Sequence, residues 1–335
     1  MSRKKIAVVG ATGMVGRAFI DVLTDFGMDS YDYVLFSSKR SAGTVINFMS
    51  KEYVVKELDE NSFDEGFDVA LFSAGGSTSA KYAPIAASKG ITVVDNSSYF
   101  RMHDDVPLVV PEVNPEDIMN SKGIIANPNC STIQAVVAIN PIHKKYGIKR
   151  IVYSTYQSVS GAGMAGYTDL ENGIQSYVDK VDRELQKFPY PIFNNCIPHI
   201  DDFLENGYTK EEIKMVNESR KILHDQSIKI TATTVRVPVF SAHSESINLE
   251  LMDEYELDDI KELMNTSPGI VLVDDPKNNI YPLASVSTGT DAVYVGRLRR
   301  DDSVENGLNM WVVSDNIRKG AATNAVQIAQ MILEN

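Results

Sequence analysis

Ile6-Ala7-Val8-Val9-Gly10-Ala11-Thr12-Gly13-Met14-Val15-Gly16 opens with four apolar residues, turns on glycine, and continues through residue 23 with apolar residues at helical spacing. The reading is a short buried strand, a glycine turn and a helix. Residues 33–36, 69–72, 92–94 and 123–126 read as four more strands, with a helix over 80–89. Strands alternating with helices predict a doubly wound parallel sheet in an α/β domain over residues 1–127.

Beyond residue 127 the pattern changes. A helix over 132–146 is followed by strand-like segments at 151–157, 230–239, 246–251, 292–298 and 308–313. They predict a mixed or antiparallel sheet in a second, α+β domain over 128–315. Residues 316–333 read as one amphipathic helix with Ala322, Val326, Ala329 and Leu333 on one side. That helix, within 316–335, is assigned back to the first domain. Residues 201–225 read as helical, charged and solvated. There is no internal repeat, low-complexity tract or obvious linker.

The chain's 335 residues suffice for two buried cores. A net charge of -13 argues against a nucleic-acid partner, which requires a basic face. An acidic protein that handles phosphate must do so with a few placed cations. The two cysteines, Cys130 and Cys196, are too few for a disulfide framework and suit a cytoplasmic protein. No signal peptide is legible, and no apolar run reaches membrane-spanning length. No metal is called for.

The glycine turn has the spacing G-x-x-G-x-x-G. Small residues there let backbone N–H groups and a helix N-terminus approach a pyrophosphate, which makes Gly10, Thr12, Gly13, Met14, Val15 and Gly16 candidate cofactor contacts. A tight turn with no ligand is the alternative. After the second strand comes Ser37-Ser38-Lys39-Arg40-Ser41, without the carboxylate that would hold an NAD ribose. Hydroxyls and a guanidinium suit a 2′-phosphate, so Ser38, Arg40 and Ser41 point to NADP(H) rather than to a basic surface loop. A second glycine stretch, 73–77, is placed to edge the same crevice.

Ala126-Asn127-Pro128-Asn129-Cys130-Ser131-Thr132 puts a cysteine where a strand ends and a helix begins. Unpaired N–H groups at a helix start favour the thiolate and could hold an oxyanion. Cys196, between Asn195 and Ile197, reads as a buried structural cysteine. A cysteine nucleophile beside a nicotinamide site points to aldehyde chemistry through a thioester, with phosphate or water as acyl acceptor.

The glycine turn, Ser38-Lys39-Arg40-Ser41-Ala42-Gly43 and the Cys130 segment resemble the aspartate-semialdehyde dehydrogenase family. So do Ser154-Thr155-Tyr156-Gln157-Ser158-Val159-Ser160-Gly161-Ala162-Gly163, Val235-Arg236-Val237-Pro238, Ser241-Ala242-His243-Ser244-Glu245-Ser246 and Asp315-Asn316-Ile317-Arg318-Lys319-Gly320. These blocks run in order along essentially the whole chain. The resemblance implies NADPH-dependent reduction of L-4-aspartyl phosphate to L-aspartate 4-semialdehyde and inorganic phosphate, on the way to lysine, methionine and threonine. It implies Cys130 as acyl carrier, His243 as acid/base and Gln157 as the amide that orients substrate. It implies Arg236 for the α-carboxylate and Glu211 for the amino group. Arg101, Lys214 and Asn129 would hold phosphate, and Ser160, Gly161 and Asn316 would border the nicotinamide. A homodimer is implied, with a tetramer as the alternative, and residues 164–198 commonly contribute to a subunit interface.

From the residues alone, His243 is a histidine among hydroxyl residues after a strand, a setting suited to tuning near neutrality, with an ordinary surface or core histidine as the alternative. Glu211 and Lys214 are three apart and share a helix face. The nearest rival is reduction of N-acetylglutamyl phosphate, disfavoured by the Gln157, Arg236 and His243 blocks. A glyceraldehyde-3-phosphate type enzyme would carry threonine-threonine after the cysteine, where this chain has Ser131-Thr132. An NADP-binding redox sensor without turnover would not need the full set of partners.

Overall fold

The computed structural model describes residues 3–334; Met1, Ser2 and Asn335 lie outside it. The chain divides into two compact units. One runs to Asn129 and resumes at Ala321, and the other is Cys130–Gly320.

In the first unit, β1 (Lys5–Val9), α1 (Met14–Asp25), β2 (Asp32–Ser37), β3 (Val45–Phe48), β4 (Lys51–Val54), β5 (Lys56–Glu57), β6 (Val69–Phe72), α2 (Gly76–Ser88), β7 (Thr92–Asp95) and β8 (Ile124–Ala126) follow in order. Six strands form one sheet in the order β5-β2-β1-β6-β7-β8, and every pairing is parallel. The central strand β6 is buried along its whole length, and so are the last four residues of β1, because helices cover the sheet. That is why they read as unbroken apolar runs rather than alternating ones. The C-terminal helix Asn324–Glu334 packs on β6 and β7, and Asn324 donates to Val109 O and Asn127 Oδ1. Strand order reverses between β1 and β6, which places a crevice beyond the carboxyl end of β1.

The second unit contains α3 (Cys130–Tyr146), β9 (Ile148–Gln157), α4 (Gly163–Asp179), α5 (Lys210–Ile222), β10 (Lys229–Arg236), β11 (His243–Leu251), α6 (Leu257–Thr266), β12 (Ile270–Leu272), α7 (Ala284–Ser287), β13 (Val293–Asp301) and β14 (Gly307–Ser314). Its sheet is mixed, in the order β10-β9-β11-β14-β13-β12, with parallel pairs at both edges and antiparallel pairs between. Helix α3 is buried on nearly every side, against α5, α6 and the strands β9, β11, β13 and β14. No helix among the described residues is long and apolar enough to cross a membrane.

Several elements differ from the sequence reading. The expected strand over 230–239 stops at Arg236, because Pro238 has no N–H for a ladder. The strand expected from 246 begins at His243. Only Lys210–Ile222 of the charged 201–225 segment is helical; it starts at a capping box in which Thr209 and Glu212 satisfy each other's backbone N–H. The expected helix over 316–333 is not uniform. Arg318–Thr323 is a wide π-helical turn, with Gly320 N–H bonded to Asp315 O at 2.9 Å, and the α-helix starts at Asn324. The β3–β4 hairpin was not legible, since its turn residues Met49 and Ser50 have φ of 50° and 58° without the usual asparagine or glycine.

Candidate active site

In the first unit, Gly10 N–H and Ala11 N–H both bond to Phe36 O, which ties the glycine turn to the end of β2. Gly10 has φ of 87°, and a Cβ there would meet Ser73 O at 2.2 Å. A Cβ on Gly16 would meet Gly10 O at 2.0 Å. These two glycines let the turn fold tightly over β1 and β6. Above the turn lies a cavity of about 460 Å³ lined by Gly10, Thr12, Gly13, Ser37, Ser38, Arg40, Ser41, Ser73, Ala74, Thr78 and Tyr82, among others. Met14, Val15 and Gly16 do not line it. The lining holds hydroxyls and one guanidinium and no carboxylate, a donor set that fits a 2′-phosphate. Arg101 is also in this unit, buried, with Nε donating to Asn127 O at 2.9 Å and Nη2 to Asn96 O at 3.0 Å. Asn129, buried too, ends this part of the chain.

In the second unit Arg236, Gln157 and His243 share one row of the sheet. Arg236 pairs with Gln157 in the β10–β9 register, and His243 pairs with Ser314 in the β11–β14 register. Ser244 lies opposite Tyr156, so His243 stands beside Gln157. Cys130, half-buried, is the first residue of α3 and lies near enough to Arg236 that a thiolate there would be felt by the guanidinium. The π-helical turn explains itself here: a Cβ on Gly320 would lie 2.9 Å from the Cys130 Cβ. Gly161 is equally constrained, for a Cβ would lie 2.8 Å from Arg236 Nη1 and 3.2 Å from His243 Nε2.

His243 departs from the expectation of a polar, near-neutral setting. It is 0% exposed, and burial first, then the positive charge of Arg236, push its pKa well below the ordinary imidazole value. Its Nδ1 accepts from Ser158 N–H at 3.1 Å. A backbone N–H can only donate, so Nδ1 carries no proton, and the neutral ring has its proton on Nε2. Nε2 is buried and has no hydrogen-bond partner among the described residues. The ring is therefore neutral and presents an N–H donor.

Asn316 organises the surroundings. Its Oδ1 accepts from Ser158 Oγ, Ser160 Oγ and Ala242 N–H, each at 3.1 Å. Ala242, just before His243, has φ of 68°, a conformation that costs a non-glycine residue of order 1 kcal/mol or more. Sequence reading missed Ser158 and Ala242; a strained alanine leaves no mark in composition or spacing.

Arg236 is buried, with Nη1 donating to Ser158 O at 2.6 Å. Burial lowers its pKa, while Glu211 and Cys130 oppose that shift. Gln157 Nε2 donates to Glu211 Oε1 at 3.3 Å. Lys214 reaches Glu211 at 3.2 Å and Asp201 at 2.6 Å, so the shared helix face is real. Cys196 is exposed rather than buried. Ile197 pairs with Arg236 across a short antiparallel bridge and turns its side chain inward, which leaves the preceding residue outside. In the 164–198 segment, buried Asp169 accepts the N–H groups of Gln186, Lys187 and Phe188.

A family model described as semialdehyde dehydrogenase, NAD binding domain, matches residues 5–121. A second, semialdehyde dehydrogenase, dimerisation domain, matches residues 139–319. An aspartate-semialdehyde dehydrogenase of Aquifex aeolicus (strain VF5) is 55% identical over 334 residues, 98% of each chain. The structure of aspartate semialdehyde dehydrogenase II from Vibrio cholerae complexed with ASA superposes with a TM-score of 0.95 at 44% identity, covering 100% of this chain and 99% of that one. The enzyme with NADP from Candida albicans superposes with a TM-score of 0.76 at 26% identity, covering 99% of each chain. With the two-unit fold and the Cys130, Arg236 and His243 cluster, these matches establish that the chain belongs to the aspartate-semialdehyde dehydrogenase family.

Proposed function

We propose that the protein reduces L-4-aspartyl phosphate to L-aspartate 4-semialdehyde and inorganic phosphate through a thioester on Cys130, in the route to lysine, methionine and threonine. The observation that carries this reading is the meeting of a helix-start thiol, a buried guanidinium and a buried neutral imidazole in one unit. Cys130 Sγ attacks the acyl carbon, the C–O bond to phosphate breaks, and a thioester forms. NADPH, when bound, supplies the hydride that reduces the thioester carbonyl. The resulting alkoxide on Cys130 collapses to the aldehyde, and Sγ leaves as thiolate.

Sγ cycles as a thiolate, and the displaced phosphate takes up one proton from solvent as it leaves, so the reduction consumes one proton overall. Beside the acid/base role that the resemblance implies for His243, its Nε2–H is placed in this reading to donate to the oxyanion of each tetrahedral adduct. The Arg236 side chain spends one donor arm on Ser158 O and makes no other hydrogen bond among the described residues, which suits a grip on the substrate carboxylate. Gln157 orients the reacting carbonyl, and Glu211 meets the amino group. Phosphate contacts from Arg101, Asn129 and Lys214 rest on the family resemblance, as does the nicotinamide border of Ser160, Gly161 and Asn316. The test is phosphate-dependent NADPH formation from L-aspartate 4-semialdehyde. Turnover with only the N-acetylglutamyl substrate would overturn the assignment.

NADP(H) is the proposed cofactor because Ser38, Arg40 and Ser41 line the cavity without an acidic residue. Arg40→Ala should raise KM for NADP⁺ about 10- to 100-fold and leave KM for NAD⁺ nearly unchanged. Equal effects on the two cofactors would remove Arg40 from 2′-phosphate recognition. Gly161→Ala should lower kcat/KM about 100-fold, since the added methyl displaces Arg236 and His243. The check is steady-state kinetics beside a thermal melt that shows the fold retained.

A homodimer formed through the second unit is part of the same reading. The sheet face away from α3 leaves a hollow of about 550 Å³ lined by Tyr156, Ser244, Tyr281, Leu283, Met310 and Trp311, among others. A second copy would cover it, and light scattering of the eluted protein measures this directly.

A further inference from the structure

We propose that Glu245 is a positioning residue: as a neutral carboxylic acid paired with Gln134, it sets the spacing between the helix that begins at Cys130 and the strand that begins at His243. The role rests on the reaction proposed above. Glu245 lies two residues beyond His243 on β11, so it points to the same face about 7 Å deeper. Gln134 lies four residues beyond Cys130 on α3, on the same helix face about 6 Å deeper. Helix α3 packs on β11. Glu245 and Gln134 thus stand one layer further into the unit than His243 and Cys130, on the same strand face and the same helix face.

Both side chains are 0% exposed, and none of their four polar atoms closes a hydrogen bond of ordinary length. The Gln134 amide nevertheless faces the carboxyl. Thr155 of β9 and Val312 of β14 lie opposite Glu245 in the sheet, and no cation among the described residues bears on it. The titratable groups that bear on it are Glu211 of α5 and Tyr153 of β9, and neither compensates a negative charge. A carboxylate cannot be held in such a place without a cation or several donors. A carboxylic acid can, because in the proposed pairing its O–H would donate to the Gln134 carbonyl and its C=O would accept from the Gln134 N–H. Burial is the largest influence in this direction; the Gln134 amide opposes it, and Glu211, the smallest of the three, adds to it.

The variants that test this are Glu245→Gln, which mimics the neutral acid, and Glu245→Leu, which keeps volume and removes the pairing. Glu245→Gln should keep kcat, whereas Glu245→Leu should lower kcat about tenfold or more with KM for aspartate semialdehyde little changed. The second readout is stability against pH. The raised pKa means the folded protein holds a proton that the unfolded chain has lost above about pH 4.5, so the wild type loses stability as pH rises from there. The melting advantage of Glu245→Gln over the wild type should therefore widen from about pH 5 to about pH 8.

A kcat loss in Glu245→Gln equal to that in Glu245→Leu, wild-type kcat in Glu245→Leu, or a melting difference flat with pH would each overturn the proposal. Should Glu245→Leu not fold, the double variant Gln134→Leu/Glu245→Leu removes both polar groups and takes its place, with the same two kinetic outcomes. A wild-type protein without turnover on aspartate semialdehyde would sink the proposed reaction and leave the pH measurement standing on its own.

Discussion

Replacing Cys130 by alanine is expected to remove phosphate-dependent NADPH formation from L-aspartate 4-semialdehyde, a loss of at least about 10⁴-fold in kcat. The size follows from the step being eliminated. Without Sγ there is no acyl carrier, so hydride transfer has no thioester to connect it with phosphate. The variant should fold, because Cys130 is only half-buried at the first residue of a helix whose packing comes from the residues after it. A direct check is mass spectrometry of the wild type mixed with aspartyl phosphate and no cofactor. Cys130 should carry the mass of the acyl group, and the alanine variant should not. Retained turnover in the variant would mean that the covalent route is wrong.

His243→Ala is expected to cost about 10²- to 10³-fold in kcat, the usual effect of removing one preorganised oxyanion donor. His243→Gln, which can still offer an amide N–H, should lose less. The buried ring also predicts pH behaviour. Because burial and Arg236 hold the folded pKa well below 6.5, the imidazole stays neutral in the fold while the unfolded chain takes up a proton below about pH 6.5. The wild type therefore loses stability as pH falls from that point, and its advantage over His243→Gln shrinks with it. The rate should pass through pH 6.5 without an acid limb from this residue. An acid limb centred there, abolished in the glutamine variant, would show an ordinary exposed imidazole and overturn the tautomer argument.

The two buried ionisable groups on β11 consequently act with opposite sign. His243 makes the fold weaker toward acid and Glu245 makes it weaker toward base, each because the sheet row it occupies excludes water. They sit two residues apart on one strand face. No spacing rule distinguishes a histidine or glutamate at such a position from one on a solvated edge, since the covering helix α3 lies about a hundred residues earlier in the chain.

What the chain determines locally is legible in its sequence. Residues 6–16 and the apolar runs after them specify strand, tight turn and helix through hydrophobic period and through glycines at places where a Cβ would strike backbone. The segment before Cys130 likewise marks a strand end and a helix start. Tertiary structure decided the rest, because burial and protonation depend on which distant segments pack together. It turned Cys196 outward by pairing Ile197 with Arg236. It broke the C-terminal helix into a π turn so that Gly320 could lie against Cys130. It sealed His243 and Glu245 from water, which sets one as a neutral donor and, by the proposal above, the other as a neutral acid.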